Sequence, residues 1–140
     1  MLGRMKTSYT FEITTESRSQ LLAVTDQVRE ATRRSGVDEG FCVVYVPHTT
    51  AGVLINENAD PDVAADVLSY FERLVPRSPS FRHAEGNSDA HIKAILTGSS
   101  VSIPIGKGEP ALGTWQGVFF AEFDGPRSRR FTVTCVASGA

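Results

Sequence analysis

Tyr9, Phe11 and Ile13 alternate with Thr10, Glu12 and Thr14. That period of two predicts an edge strand over 7–14 with one buried face. Ser17 and Gln20 then have the spacing of a capping box, and Leu21, Val24, Val28 and Ala31 recur at helical spacing. They predict a helix that runs to Arg33 and Arg34 and is stopped by Gly36 in the left-handed conformation. Residues 41–46, without a polar break, read as a central strand covered on both faces, ended by Pro47. A short strand follows at 52–55. Asp60-Pro61-Asp62 has the residues of a helix start, and Val63, Val67, Tyr70 and Leu74 form the stripe of that helix. A loop from Pro76 to about Gly86 leads to a third helix, capped by Asn87 or Ser88 and stopped by Gly98. Strands are predicted at 101–105, 114–123 and 128–136. The 106–113 stretch reads as a glycine-rich turn, and Asp124-Gly125-Pro126 as the turn of a closing hairpin. The order is roughly βαββααβββ, an α+β domain with an antiparallel closing meander.

Composition narrows the class. A chain of 140 residues is one domain's worth, with 1–6 as a leader and 7–138 as the folded unit. About two-thirds of the unfolded surface can be buried at this size, so no disulfide or structural metal is needed. Lys and Arg total 14 against 16 Asp and Glu, a net charge of −2 that argues against a broad nucleic-acid-binding face. The longest apolar run is far short of the roughly 18 residues that span a bilayer, and 1–6 do not resemble a signal peptide. Cys42 and Cys135 lie in apolar runs without a CxxC and read as buried reduced thiols. Together these features predict a cytoplasmic protein without membrane or nucleic-acid partners.

Candidate chemistry gathers at the ends of elements. His48, His83 and His91 all sit at such boundaries. His48-Thr49-Thr50 can anchor a ligand or satisfy a turn. Asn56-Glu57-Asn58 is a polar loop or part of a site. The 83–93 segment holds two His, Glu85, Asp89, Asn87 and Lys93. Imidazoles with carboxylates suit a divalent metal, and a helix start suits an anion such as phosphate. Glu122 is flanked by Phe120, Ala121 and Phe123, so it must be paired, hydrogen-bonded or metal-bound. Arg127 or Arg129 is its candidate ion-pair partner, and Arg127 is also a candidate anion clamp. P-loop, GxGxxG, HExxH and GxSxG motifs are absent. Alternation places Trp115, Phe119 and Phe123 on one face of the 114–123 strand and Val118 and Phe120 on the other. A strand apolar on both faces predicts cover from another subunit.

His48-Thr-Thr-Ala-Gly52, Asn56-Glu-Asn-Ala-Asp-Pro-Asp62, His83 through Lys93, Ile103-Pro-Ile105, Gly113-Thr-Trp-Gln-Gly117 and Glu122-Phe-Asp-Gly-Pro-Arg127 occur in that order. This set resembles the YjbQ family, called secondary thiamine-phosphate synthases, over roughly 7–136. The resemblance implies a small mixed or antiparallel β-sandwich with about three helices. It also implies a homotrimer with pockets near subunit boundaries. The implied activity joins an aminopyrimidine diphosphate to a thiazole phosphate with release of pyrophosphate. On this reading the catalytic candidates are His48, Glu57, His83, Asp89, His91 and Glu122. The candidates for binding a small phosphorylated metabolite are Thr49, Thr50, Asn56, Asn87, Lys93, Trp115, Gln116 and Arg127. A divalent ion, Mg or Zn, would be held by His48, His83 and His91. A metal-dependent phosphate hydrolase and a non-enzymatic binding module use the same pocket and remain open, so the residues do not decide between turnover and binding.

Overall fold

The computed structural model describes residues 7–139, so the expected 1–6 leader lies outside them. The elements are β1 (Ser8–Thr14), β2 (Gln20–Ala23), α1 (Thr25–Ser35), β3 (Gly40–Tyr45), β4 (Ala51–Glu57), α2 (Pro61–Leu74), α3 (Ser88–Thr97), β5 (Ser100–Gly106), β6 (Glu109–Pro110), β7 (Gln116–Glu122) and β8 (Ser128–Ala137). One sheet has the order β1-β8-β3-β5-β6 and the other β2-β7-β4, with every pair antiparallel. The α+β class and the sandwich with three helices are as expected.

Alternation builds the core. Tyr9, Cys42, Val44, Ile103, Phe131 and Val133 from the large sheet meet Val53, Val118 and Phe120 from the small one, with Val28 and Ala31 of α1 beside them. A second cluster lies on the outer face of the small sheet, where Ala121 and Phe123 meet Ala90 and Ala94 of α3 and, half-buried, Leu68 and Phe71 of α2. Thus β7 is buried at every residue except Gln116 within a single chain. The inference that its two apolar faces need another subunit fails, because the large sheet covers one face and α2 and α3 cover the other.

Three further expectations change. Residues 20–23 are a strand rather than the first turn of a helix. Leu21 pairs with Ala121 and Leu22 with Phe120, and α1 starts only at Thr25. Leu21, Val24 and Val28 suit a helix stripe, but pairing with the central strand of the small sheet decides. The predicted closing hairpin is absent: β7 and β8 belong to different sheets, so Asp124-Gly125-Pro126 is a crossover between layers. Finally, β3 is central but covered on one face only. Phe41 and Tyr45 are 43% and 47% exposed, and Val136 on β8 is 42% exposed.

Glycine backbone geometry holds the layers at close range. A Cβ on Gly52 would lie 2.2 Å from the Thr97 hydroxyl and 2.4 Å from the Gly98 carbonyl. Val53 N–H donates to Gly98 O at 3.1 Å, and Val46 N–H to Ser99 O at 2.8 Å. The C-terminal end of α3 is therefore tied to β4 and to the end of β3, which sets α3 alongside the 46–50 loop.

Candidate functional site

That placement brings the three histidines together. His48 projects from the loop between β3 and β4. His83 lies in the loop before α3, and His91 in its first turn. With Thr49, Thr50, Glu85, Asn87, Asp124, Arg127 and Arg129 they line a cavity of about 470 Å³. The His83 and His91 rings meet edge to face with centroids 5.4 Å apart, and His83 Nε2 lies 3.9 Å from a Glu85 carboxylate oxygen.

The floor of the cavity is a closed ionic network. Arg129 occupies an inward position on β8, in register with Phe131 and Val133, and its Nε donates to Glu122 Oε1 at 2.9 Å. Its second nitrogen bonds Glu122 Oε2 and, at 2.7 Å, the Thr50 hydroxyl. Glu122 also accepts from the Thr15 hydroxyl at 2.8 Å and from the Phe123 and Asp124 amides at 3.1 and 3.0 Å. Burial works against its charge, but the Arg129 hydrogen bond, the Asp124 amide and Thr15 outweigh it and hold the carboxyl below the ordinary value. Glu122 has no lone-pair direction left for a substrate. The expected catalytic role gives way to a structural ion pair that fixes Thr50 beside His48.

Arg127 is half exposed. Its Nε donates to the Asp124 carbonyl at 2.9 Å and one terminal nitrogen to the Asp124 carboxylate at 3.1 Å, which leaves N–H groups for the cavity. Asn87 is the N-cap residue of α3 but makes no capping bond. Its amide nitrogen instead donates to Asp124 at 2.8 Å, and its oxygen is buried without a partner. The α3 N-terminus therefore meets the cavity without a side-chain cap.

Six candidates lie elsewhere. Asp89 and Lys93 sit on the far side of α3 from His91. Lys93 is fully buried, with Nζ 2.6 Å from Glu72 and 3.4 Å from Asp89. Asp89 accepts both terminal nitrogens of Arg18, at 3.0 and 3.2 Å. Neither lines the cavity, because each is spent in an ion cluster joining α3, α2 and the 15–20 segment. Asn56, Glu57, Trp115 and Gln116 lie at the opposite end of the small sheet: Ala51 pairs with Glu122, whereas Glu57 pairs with Gln116. Six strand steps separate those ends by ~20 Å. There Gln116 accepts from the Gly113 amide at 2.8 Å and Asn58 N–H donates to the Trp115 carbonyl, which makes a structural turn.

Among the described residues no three His, Cys, Asp or Glu side chains are arranged to hold a metal ion. His48 fits such a role least, because its Nε2 accepts the Arg130 amide at 3.0 Å and that lone pair is already used. Burial and the nearby Arg129 and Arg130 charges push its imidazole below the ordinary value. Arg129, Arg130 and Asp124 were not candidates for ligand contact from the sequence. The available signal was Arg129 at an inward register position, which requires a buried partner.

The family described as UPF0047 protein YjbQ-like matches residues 9–138. A UPF0047 protein of Methanocaldococcus jannaschii is 50% identical, over 94% of this chain and 96% of that protein. YugU of Bacillus subtilis, also a UPF0047 protein, is 44% identical over 86% of this chain and 92% of its own length. The crystal structure of a YjbQ/UPF0047 protein from Clostridium acetobutylicum superposes with a TM-score of 0.90 at 48% identity, covering 91% of this chain and 99% of that one. A YbjQ-like protein from Sulfolobus solfataricus, described as of unknown function, gives 0.89 at 30% identity, covering 94% and 96%. The chain belongs to the YjbQ/UPF0047 family. These findings overturn the expected thiamine-phosphate synthase activity. The relatives carry a family designation alone, a solved neighbour is of unknown function, and the family is not established as an enzyme.

Proposed function

We propose, with membership of the YjbQ/UPF0047 family as the premise, that the cavity binds a small phosphorylated metabolite by its anionic group. One observation carries the reading: His48, His83, His91 and Arg127 converge on the uncapped N-terminus of α3 around about 470 Å³. Helix amides, an arginine fork and imidazole N–H groups are all donors, and phosphate oxygens are acceptors. The volume suits a metabolite rather than a macromolecule. The test is titration calorimetry with inorganic phosphate and pyrophosphate. Saturable binding is expected, weakened about tenfold or more in Arg127→Ala by loss of a charge-assisted hydrogen bond. Equal heats from protein and buffer blank would reject the reading.

The 5.4 Å approach of His83 to His91, with Glu85 nearby, favours one second reading, a divalent ion at these three residues, which are not arranged to hold one in the structure and would have to close on it. Two imidazoles suit zinc better than magnesium, and the ion would supply positive charge to a bound anion. Metal content lost in His83→Ala and His91→Ala, and kept in His48→Ala, is the supporting result.

The exposed apolar side chains Phe41, Tyr45 and Val136 support a second copy of the chain on the open face of the large sheet, in the homotrimer that the family resemblance implies. Light scattering is expected to give three times the 15.2 kDa chain mass. Cys42 and Cys135 face each other in register on β3 and β8 as free thiols, which supports a reducing, cytoplasmic setting. Among the described residues no helix is long and apolar enough to cross a membrane.

A further inference from the structure

His48 is held by the main chain at one nitrogen and open at the other. Its Nε2 accepts the amide N–H of Arg130 at 3.0 Å, and its ring lies edge-on to buried Phe120 with centroids 6.4 Å apart. Among the described residues Nδ1 has no partner. His48 forms part of the wall of three adjoining cavities, including the one it shares with His83, His91 and Arg127. A ring nitrogen accepts a hydrogen bond only when it carries no proton. The Arg130 amide therefore selects the neutral imidazole with its proton on Nδ1.

We propose that His48 is a neutral, Nδ1-protonated hydrogen-bond donor to the bound anion, and neither a general base nor a metal ligand. The assignment rests on the anion reading above and specifies the chemistry at one of its corners. Coordination of a metal through Nδ1 would move the ring proton to Nε2, where it would face the Arg130 N–H donor to donor. Uptake of a proton at Nε2 would produce the same clash. In the arrangement described, donation from Nδ1 is the one polar role open to the ring. The donor is thus present without a positive charge, and the anion meets a fixed N–H whose direction is set by β8.

Two measurements test this. Long-range ¹H–¹⁵N correlation spectra of the intact labelled protein near neutral pH report which ring nitrogen carries the proton, with His48→Ala used for assignment. The expected result is a bare Nε2 and a protonated Nδ1. Titration calorimetry with pyrophosphate then compares two amide replacements, with thermal melts to check that each variant is folded. An asparagine amide N–H can stand close to Nδ1, whereas a glutamine amide reaches toward Nε2. His48→Asn should bind within about threefold of the parent, and His48→Gln should lose about tenfold or more. A proton on Nε2, or better binding by the glutamine variant, overturns the donor assignment while leaving the anion site standing. Failure of the unmodified protein to bind phosphate or pyrophosphate overturns the anion reading, and the donor role with it.

Discussion

The two sides of α3 carry similar side chains to different ends. On one side Asp89 and Lys93 meet Arg18 and Glu72, and every charge has an opposite partner within 3.4 Å. On the other side His91 faces His83, His48 and Arg127 across open space. The sequence places polar residues on both. Completed partnership makes one side scaffold, and donors left over make the other the side on which the proposed site rests. Glu122 and Arg127 repeat the contrast five residues apart: the carboxylate is saturated, while the guanidinium is half exposed with N–H groups to spare.

The most severe way to break the comparison is to unpair the scaffold. Arg129→Met leaves Glu122 charged, buried and without its main partner, and should cost ~3–5 kcal/mol by denaturant titration. A loss below ~1 kcal/mol would mean that water reaches Glu122. Lys93→Met should cost less, ~2 kcal/mol, because Asp89 keeps Arg18 and Glu72 is half exposed. His91→Ala on the opposite side should change stability by less than ~1 kcal/mol while weakening phosphate binding. A large loss of stability there would class His91 with the scaffold.

Acid sharpens the same distinction with a smaller effect. Burial opposes the charge on both Asp89 and Glu122, yet their Arg hydrogen bonds win and lower both carboxyls. A depressed carboxyl contributes stability that is present above its unfolded pKa, near ~4. That stability is lost as pH falls through the folded value. These two groups should therefore leave stability level between pH 7 and 5 and cause it to fall below about pH 4. The double variant Asp89→Asn, Glu122→Gln should be less stable at pH 7 and show a shallower acid slope.

Much of the fold was legible because local rules and tertiary demands agree. Asp60 caps α2 by accepting the Asp62 amide at 2.9 Å. Gly36 ends α1 at φ 71°, and alternation placed Tyr9, Phe11 and Ile13 on one face of β1. Disagreement arose where two structures use the same residues. Gln20 to Ala23 suit a helix start or a short strand, and only the partner β7 decides. Asp124-Gly125-Pro126 suits a hairpin or a crossover equally, because turn chemistry does not record which sheet comes next. The convergence of His48, His83 and His91 was foreseen from their positions at element ends. An ion pair of Glu122 with Arg127 or Arg129 is one of the readings its apolar flanks allow, but the pairing of Asp89 and Lys93 has no such signal, because partners such as Arg18, 71 residues from Asp89, lie too far along the chain for spacing to reveal.

The helix α2 is well capped, yet none of its residues is fully buried. Its Phe71 and Leu68 lean on Ala121 and Phe123 without being enclosed. An element held this way opens at low free energy, ahead of the sandwich. Its amides should exchange with solvent first, and the 75–87 loop that follows should be the first place a protease cuts. Each opening bares Phe123 and part of the outer side of the small sheet, so the docked helix serves the chain as a cover against self-association that is lifted only in brief unfolding excursions.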